Sequence, residues 1–221
     1  MTAISIFKTE RKAFLLVDSG CFCPDTGKLV GHANKGLGFP TRGIAIAFSG
    51  NGLASDLIPA IERALPGTWT QADFIAAIPY ILKDRHSEIV ADRPDAESRI
   101  FVAMIERRSK RPRLFFISSH AVEFLPDVAP FEVAEVEGLA VPAVDSAELF
   151  PRGYIKGTVD DARRLIVAQR QVPLDSLKGA IGVSGECGLL TVSRGSVKQT
   201  TVASFPDQIG QRINPTASDP A

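Results

Sequence analysis

The sequence has no excess of either charge, because 25 Lys and Arg residues balance 25 Asp and Glu residues. A chain without net charge creates no overall field that attracts nucleic acid or an anionic membrane surface. It also has no apolar run near the roughly 20 residues that a membrane-spanning helix requires. Residues 1–5 lack the basic start and the long apolar segment of an export signal. We therefore expect a cytoplasmic protein that binds neither nucleic acid nor membranes.

Cysteine and histidine are both scarce, at three residues each in 221. Cys21 and Cys23 are separated by a single residue, which provides neither a disulfide framework nor the paired spacing of a zinc site. The glycine-containing segments 36–38 and 50–52 lack the spacing and the basic residue of a phosphate-binding loop. The histidines, which are too far apart for metal-ligand spacing, are His32, His86 and His120. We expect reduced thiols and no metal or cofactor.

The 45% of hydrophobic residues supply a substantial core for one domain, which we assign to residues 1–207. Residues 3–7 and 13–17 flank a charged turn and predict an N-terminal β-hairpin. Residues 208–221 are polar and contain prolines without periodic apolar positions, which predicts a flexible tail. Further apolar runs predict strands over residues 43–48, 100–105, 114–117, 131–135, 188–192 and 197–202.

Helical spacing of apolar residues predicts a helix over residues 53–65, and a second helix follows with Thr70 as its N-cap. Pro79 is expected to kink or shorten this second helix. Thr158 predicts the N-cap of a later amphipathic helix. Runs of strands separated by helices favour two stacked antiparallel sheets with helices on the outside, an α+β fold with four αββα layers.

Thr2 is the first candidate for catalysis. Methionine aminopeptidases remove Met1 when the second residue is small, which would leave threonine at the start of the mature chain. An N-terminal threonine carries a hydroxyl nucleophile and an amine base in one residue, so it needs no histidine. The α-amine has an ordinary pKa near 7.7 to 8.0, which allows it to accept the hydroxyl proton and return it to a leaving group.

Several segments resemble the β-subunit family of proteasome-like N-terminal nucleophile hydrolases, which includes the bacterial two-component ATP-dependent peptidase. The segments that carry the resemblance are Val17-Asp18-Ser19, His32-Ala33-Asn34-Lys35, Ala47-Phe48-Ser49-Gly50-Asn51-Gly52 and Ser184-Gly185. The resemblance implies a proteasome-like fold in which Asp18 orients Lys35 and Lys35 tunes the Thr2 nucleophile. It further implies that the Gly50 N–H binds the oxyanion and that Ser184 completes the site.

The C-terminal half departs from the family pattern. Ile181 stands where the family carries an aspartate, and Asp175 is the nearest carboxylate that could be displaced into that role. Residues 136–140 hold no serine where a serine–glycine run is expected. Lys28 is a reserve for Lys35. A separate reading, in which Cys21 is a nucleophile with His32 as its base, also stays open.

The leading hypothesis is a threonine peptidase, a hydrolase that cleaves peptide amide bonds after removal of Met1. The family resemblance implies a homo-oligomeric ring, a peptide or protein substrate, and an ATPase as an optional partner. One alternative is a catalytically silent scaffold or assembly subunit, which the departures at Ile181 and residues 136–140 favour. Another is an amidase with the same nucleophile that acts on a small molecule.

Overall fold

The structure is a computed structural model that describes residues 3–50, 59–61, 63–65, 67–92, 94, 96–151 and 155–213. Its labelled elements, in chain order, are β1 (Ile4–Lys8), β2 (Ala13–Val17), β3 (Gly20–Phe22), β4 (Leu29–His32), β5 (Gly36–Phe39), β6 (Ile44–Gly50), α1 (Gln71–Asp92), β7 (Ser98–Ile105), β8 (Pro112–Ser118), β9 (Ala134–Val136), β10 (Leu139–Val141), α2 (Ser146–Leu149), α3 (Val159–Arg170), β11 (Pro173–Leu174), β12 (Ala180–Ile181), β13 (Gly185–Ser193) and β14 (Ser196–Phe205).

Two five-stranded sheets form the centre of the fold. The first has the strand order β10-β1-β2-β13-β14, and the second has the order β5-β6-β7-β8-β9. Every pairing within them is antiparallel. The predicted N-terminal hairpin is present as β1 and β2, and it lies in the middle of the first sheet because β13 pairs with the other edge of β2.

The central strand β2 is buried on both faces, which explains its unbroken apolar sequence. Leu15 faces the second sheet in a core that includes Phe101 and Phe116. Phe14 and Leu16 face the opposite side, in a core shared with α3. Alternate residues of a strand point to opposite faces, so a strand covered on both sides requires apolar residues at every position.

Helices cover the outer face of each sheet. On the second sheet α1 packs Phe74, Ile78 and Leu82 against the strands, and on the first sheet α3 packs Leu165 and Ile166. The order of layers is therefore helix, sheet, sheet, helix, and the predicted four-layer αββα class is confirmed. None of the helices that the structure describes is long and apolar enough to cross a membrane.

Hydrogen bonds at the helix starts match the predicted caps. Thr158 accepts from the Asp161 N–H while the Asp161 carboxylate accepts from the Thr158 N–H, which is a complete capping box. Thr70 and Asp73 exchange equivalent bonds at the start of α1. Pro79 does not shorten the helix, since α1 continues through it to residue 92. Proline removes one backbone bond, and the packing of α1 on the second sheet outweighs that loss.

Part of the predicted tail contacts the domain in the structure. Residues 208–213 lie along β4, where Gly210 N donates to Leu29 O and Leu29 N donates to Gln211 O. Ile213 is 6% exposed and belongs to the core beneath α3. The polar composition concealed this docking, because one apolar residue and backbone hydrogen bonds are sufficient to hold it. The rest of the predicted tail lies outside the described residues.

The predicted helix over residues 53–65 is described only in part, and residues 59–61 and 63–64 are helical.

Candidate active site

Asp18 lies directly after β2 and is held by three backbone N–H groups from separate parts of the chain. Its Oδ1 accepts from Ala3 N at 3.0 Å, and its Oδ2 accepts from Gly20 N at 2.9 Å and from Ser184 N at 3.2 Å. The Asp18 side chain is fully buried. A buried carboxylate requires such donors, because an unpaired charge in an apolar interior is costly.

Lys35 places its ammonium against this carboxylate. Lys35 Nζ lies 3.2 Å from Asp18 Oδ1, and it also donates to Gly20 O. The Lys35 side chain is only 6% exposed. Lys35 is positioned by the backbone, since its carbonyl oxygen accepts from Phe48 N in β6 at 3.2 Å. The pair therefore joins the end of β2 in the first sheet to the entry of β5 in the second.

Burial and charge act in opposite directions on Asp18. Burial raises the pKa of Asp18, and this is the largest effect. The Lys35 ammonium and the N–H groups of Ser184 and Gly20 lower it, because they stabilise the ionised carboxylate. The ionised state of Asp18 therefore depends on Lys35 and on the backbone that surrounds it.

Ser184 and Gly185 lie between β12 and the start of β13, against the same carboxylate. Ser184 is fully buried, and its Oγ has no hydrogen-bond partner among the described residues. Gly185 has φ +70°, and a Cβ at this position would collide with His32 Nδ1 and Ser19 Oγ. Glycine is required there because a side chain would be strained and would have no space.

An open cleft of about 560 Å³ adjoins the pair. Asp18 and Lys35 are part of its wall. The remaining lining residues are Val17, Ser19, His32, Ala33, Asn34, Gly185, Glu186, Gly188, Gln199, Ser204, Phe205 and Pro206. A ligand in this cleft would therefore meet the ion pair directly.

Gly50, the candidate donor to the oxyanion, has no described contact with the Asp18–Lys35 pair. It ends β6 opposite Ser98 with φ +138°, two residues beyond Phe48, and it is not part of the cleft wall. The residues that follow it, 51–58, lie outside the described residues. Thr2 also lies outside the described residues. Its neighbour Ala3 is described: Ala3 N donates to the Asp18 side chain at Oδ1, and Asp18 N donates to Ala3 O.

The reserve candidates are not brought to the pair. Lys28 forms an isolated antiparallel β-bridge, a backbone pairing, with Arg212. Asp175 is exposed in a short 3-10 turn outside the cleft wall, and Ile181 is a fully buried residue of the α3-side core. Cys21 Sγ contacts Ser19 O at 3.9 Å. Within the described ranges, no three His, Cys, Asp or Glu residues are grouped so as to hold a metal ion.

The sequence did not indicate the role of Gly20. Its N–H binds Asp18 and its carbonyl oxygen accepts from Lys35, so its backbone bridges the two charges. A Cβ at Gly20 would lie 2.7 Å from Ser184 Cβ. The glycine two residues after Asp18 was a usable signal, because a glycine next to a buried charge often marks close backbone approach.

A separate polar cluster lies where β7 begins, opposite Gly50. His86 Nδ1 lies 3.2 Å from Ser98 Oγ, and His120 Nε2 lies 3.3 Å from Glu97 Oε2 and 3.1 Å from Arg99 Nη2. Burial lowers the pKa of His86. Burial also lowers the pKa of His120, where Glu97 opposes the shift and Arg99 and His86 add to it. Both rings are therefore favoured in their neutral form.

We expect acid to destabilise the protein through these two histidines. Because their folded pKa is lowered, the unfolded chain binds more protons, so their stabilising contribution is complete above about pH 6.5 and is lost as the pH falls below it. Replacing both by glutamine should reduce the difference in urea midpoint between pH 8 and pH 5.5. An unchanged difference in the double variant would contradict this assignment.

Comparison with known proteins gives matches only at the level of structure. No family model matches the chain, and no curated protein matches it. An Anbu (Gly-1) mutant from Hyphomicrobium sp. strain MC1 is 14% identical, with a TM-score of 0.63 over 92% of this chain and 87% of that chain. Anbu (ancestral beta-subunit) from Yersinia bercovieri is 12% identical, with a TM-score of 0.62 over 91% and 87%. The chain has a proteasome-like fold.

The family assignment made from the sequence was wrong. The structural neighbours are Anbu proteins at 14% and 12% identity, which shows a shared fold and not membership in the β-subunit family of N-terminal nucleophile hydrolases. The segments that suggested it are short, and a strand-end aspartate or a Ser-Gly pair also occurs for purely structural reasons. At 12–14% identity, the likeness to Anbu extends to the fold.

Proposed function

We propose that this protein is an N-terminal threonine hydrolase that cleaves peptide amide bonds after removal of Met1. The observation that carries the proposal is the contact of Ala3 N, the nitrogen bonded to residue 2, with the carboxylate that pairs with Lys35. The peptide bond of residue 2 joins it to Ala3 N. This nitrogen donates to the buried Asp18 carboxylate, which pairs with the Lys35 ammonium. The adjoining cleft supports access of a substrate to the Asp18–Lys35 pair.

The proposed reaction proceeds by acyl transfer. The Thr2 hydroxyl oxygen attacks the carbonyl carbon of the substrate amide while the Thr2 α-amine accepts the hydroxyl proton. The C–N bond then breaks as the ammonium returns the proton to the leaving nitrogen, which leaves an ester on Thr2. Water attacks the ester with the same amine as base, and the products are a carboxylic acid and free Thr2.

The remaining residues act through charge and hydrogen bonding. The Lys35 ammonium disfavours a protonated α-amine beside it and favours the developing alkoxide. Asp18 orients Lys35 through their ion pair. Ser184 Oγ, which is buried and has no partner among the described residues, is available to bind the α-amine. We assign the oxyanion to the N–H of Gly50, since glycine permits close approach.

The experiment tests the identity and the reactivity of the first residue. Intact mass should show loss of Met1, and a threonine-reactive epoxyketone or β-lactone should add one adduct mass at Thr2. Thr2→Ala should abolish labelling and peptide hydrolysis, and Thr2→Ser, which retains a hydroxyl, should retain measurable labelling. Retention of Met1, or labelling that persists in Thr2→Ala, would contradict the proposal.

A catalytically silent scaffold is the second candidate, and the observation that favours it is Ile181. This residue is fully buried where the sequence pattern suggested a catalytic aspartate, and Asp175 is exposed outside the cleft wall. A processed Thr2 that fails to react with either probe would favour the scaffold. In both cases we propose a homo-oligomeric ring, which the likeness in fold to the ancestral beta-subunit Anbu from Yersinia bercovieri supports. Native mass spectrometry measures the assembly.

A further inference from the structure

An ion pair, Arg170–Asp207, lies beside the candidate site. Arg170 is the last residue of α3, and its two terminal nitrogens donate to the two carboxylate oxygens of Asp207 at 2.8 and 2.9 Å. The guanidinium also lies 4.3 Å from the centre of the Phe205 ring. The side chains of Arg170 and Asp207 are 6% and 17% exposed. A two-point contact of this kind fixes the plane of the guanidinium as well as its position.

The same guanidinium contacts the segment that binds Asp18. Arg170 Nη1 donates to Val183 O at 2.6 Å. The next residue along the chain is Ser184, whose N–H donates to Asp18 Oδ2 and whose carbonyl oxygen accepts from Gly20 N at 3.0 Å. The segment 183–184 is thus held by Arg170 on one side and by Asp18 and Gly20 on the other.

We propose that Arg170, oriented by Asp207, is a positioning residue of the candidate site. It fixes Val183 so that the Ser184 N–H reaches the Asp18 carboxylate. Arg170 acts through Ser184: it is not among the residues that line the cleft, although the Phe205 ring on which it stacks is one of them. The effect on catalysis rests on the proposed function, whereas the effect on Asp18 does not.

The alternative is that Arg170 contributes only to global stability, as many buried ion pairs do. The two roles differ in where the backbone opens. Loss of a positioning contact increases local opening around Ser184 and Gly20, while loss of global stability increases exchange at all amides that exchange through global unfolding. Loss of the Ser184 N–H would also raise the pKa of Asp18, because a donor to the ionised form is removed.

The experiment compares Arg170→Met with Arg163→Met, measured by amide hydrogen exchange and by carboxyl-carbon NMR titration of Asp18. Arg163 is a matched control, since it lies on the same helix and donates to a backbone carbonyl, that of Val202, away from Ser184. We expect Arg170→Met to speed exchange at Ser184 and Gly20 about tenfold relative to the amides of β7 and to raise the Asp18 pKa. Arg163→Met should do neither.

Two further variants keep the test decisive if Arg170→Met folds poorly. Arg170→Met with Asp207→Leu removes both charges and leaves no unpaired buried carboxylate, and it should give the same local increase. Arg170→Lys keeps the charge without the two-point contact and should restore part of the protection. The proposal is overturned if the amide exchange rate of Ser184 increases only by the same factor as the exchange rates of the β7 amides. These readouts require no peptidase activity, so they separate failure of this proposal from failure of the proposed function.

Discussion

Replacing Lys35 by methionine is expected to lower the free energy of unfolding at pH 7 by about 3–5 kcal/mol and to abolish hydrolysis of peptide substrates. The change removes the only cation that the described contacts place on the Asp18 carboxylate, which is itself fully buried. It also removes the donor to Gly20 O. Without the ammonium, the pKa of Asp18 rises and the carboxyl group takes up a proton on folding. Urea unfolding measures the first effect, and peptide turnover measures the second.

Lys8→Met is the matched control for this experiment. Lys8 pairs with Glu137 at 2.9 Å, a shorter contact than that of Lys35 with Asp18, but the Glu137 side chain is 90% exposed. An exposed pair of this kind contributes no more than about 1 kcal/mol. Asp18→Asn combined with Lys35→Met should recover part of the stability, since no unpaired charge remains. A loss below about 1 kcal/mol in Lys35→Met would show that the buried pair does not stabilise the fold.

Gly20→Ala is expected to destabilise the protein by about 1–3 kcal/mol and to reduce hydrolysis strongly. The added methyl carbon would lie 2.7 Å from Ser184 Cβ, 2.9 Å from the Phe22 ring and 3.1 Å from Asp18 Oδ2. Real Cβ atoms do not occupy such positions, so β3 and the Ser184 segment must separate. That separation lengthens the bonds of Gly20 N to both Asp18 and Ser184 O.

Gly31→Ala provides the comparison within the same hairpin. Gly31 lies in β4 opposite Cys21, and a Cβ there meets no atom within 4 Å. Its effect on stability should stay within about 0.5 kcal/mol. Urea midpoints of the two variants, measured side by side, test the steric argument. Equal midpoints would mean that the backbone at Gly20 relaxes without cost.

Most of the elements predicted from the sequence were predicted from local patterns of apolar and capping residues. The alternating and continuous apolar runs located β1, β2, β6, β7, β8 and β13, and the Thr158–Asp161 spacing located the start of α3. These features depend on residues close together in the chain. The docking of residues 208–213 on β4 depends on backbone bonds to a strand about 180 residues earlier, and no local pattern reports such a contact.

Part of the candidate site was predicted from the sequence. Asp18, Lys35 and Ser184 were named from the sequence, and the structure brings these three together. The backbone groups of Ala3 and Gly20 were not foreseen, because any residue type can supply an N–H. The supporting Arg170 was also missed, since the sequence does not reveal that the end of α3 reaches Val183.

The position of β2 has a consequence for synthesis of the chain. Ribosomal elongation at about 5–20 residues per second would complete β13 roughly 10–35 s after β2. During that interval one edge of the N-terminal hairpin has no partner strand, and Asp18 lacks the amide of Ser184. An unpaired apolar edge can associate with other nascent chains. Chaperone capture of fragments that end before residue 185, and its loss for chains that include β13, would be the cellular signature of this order of assembly.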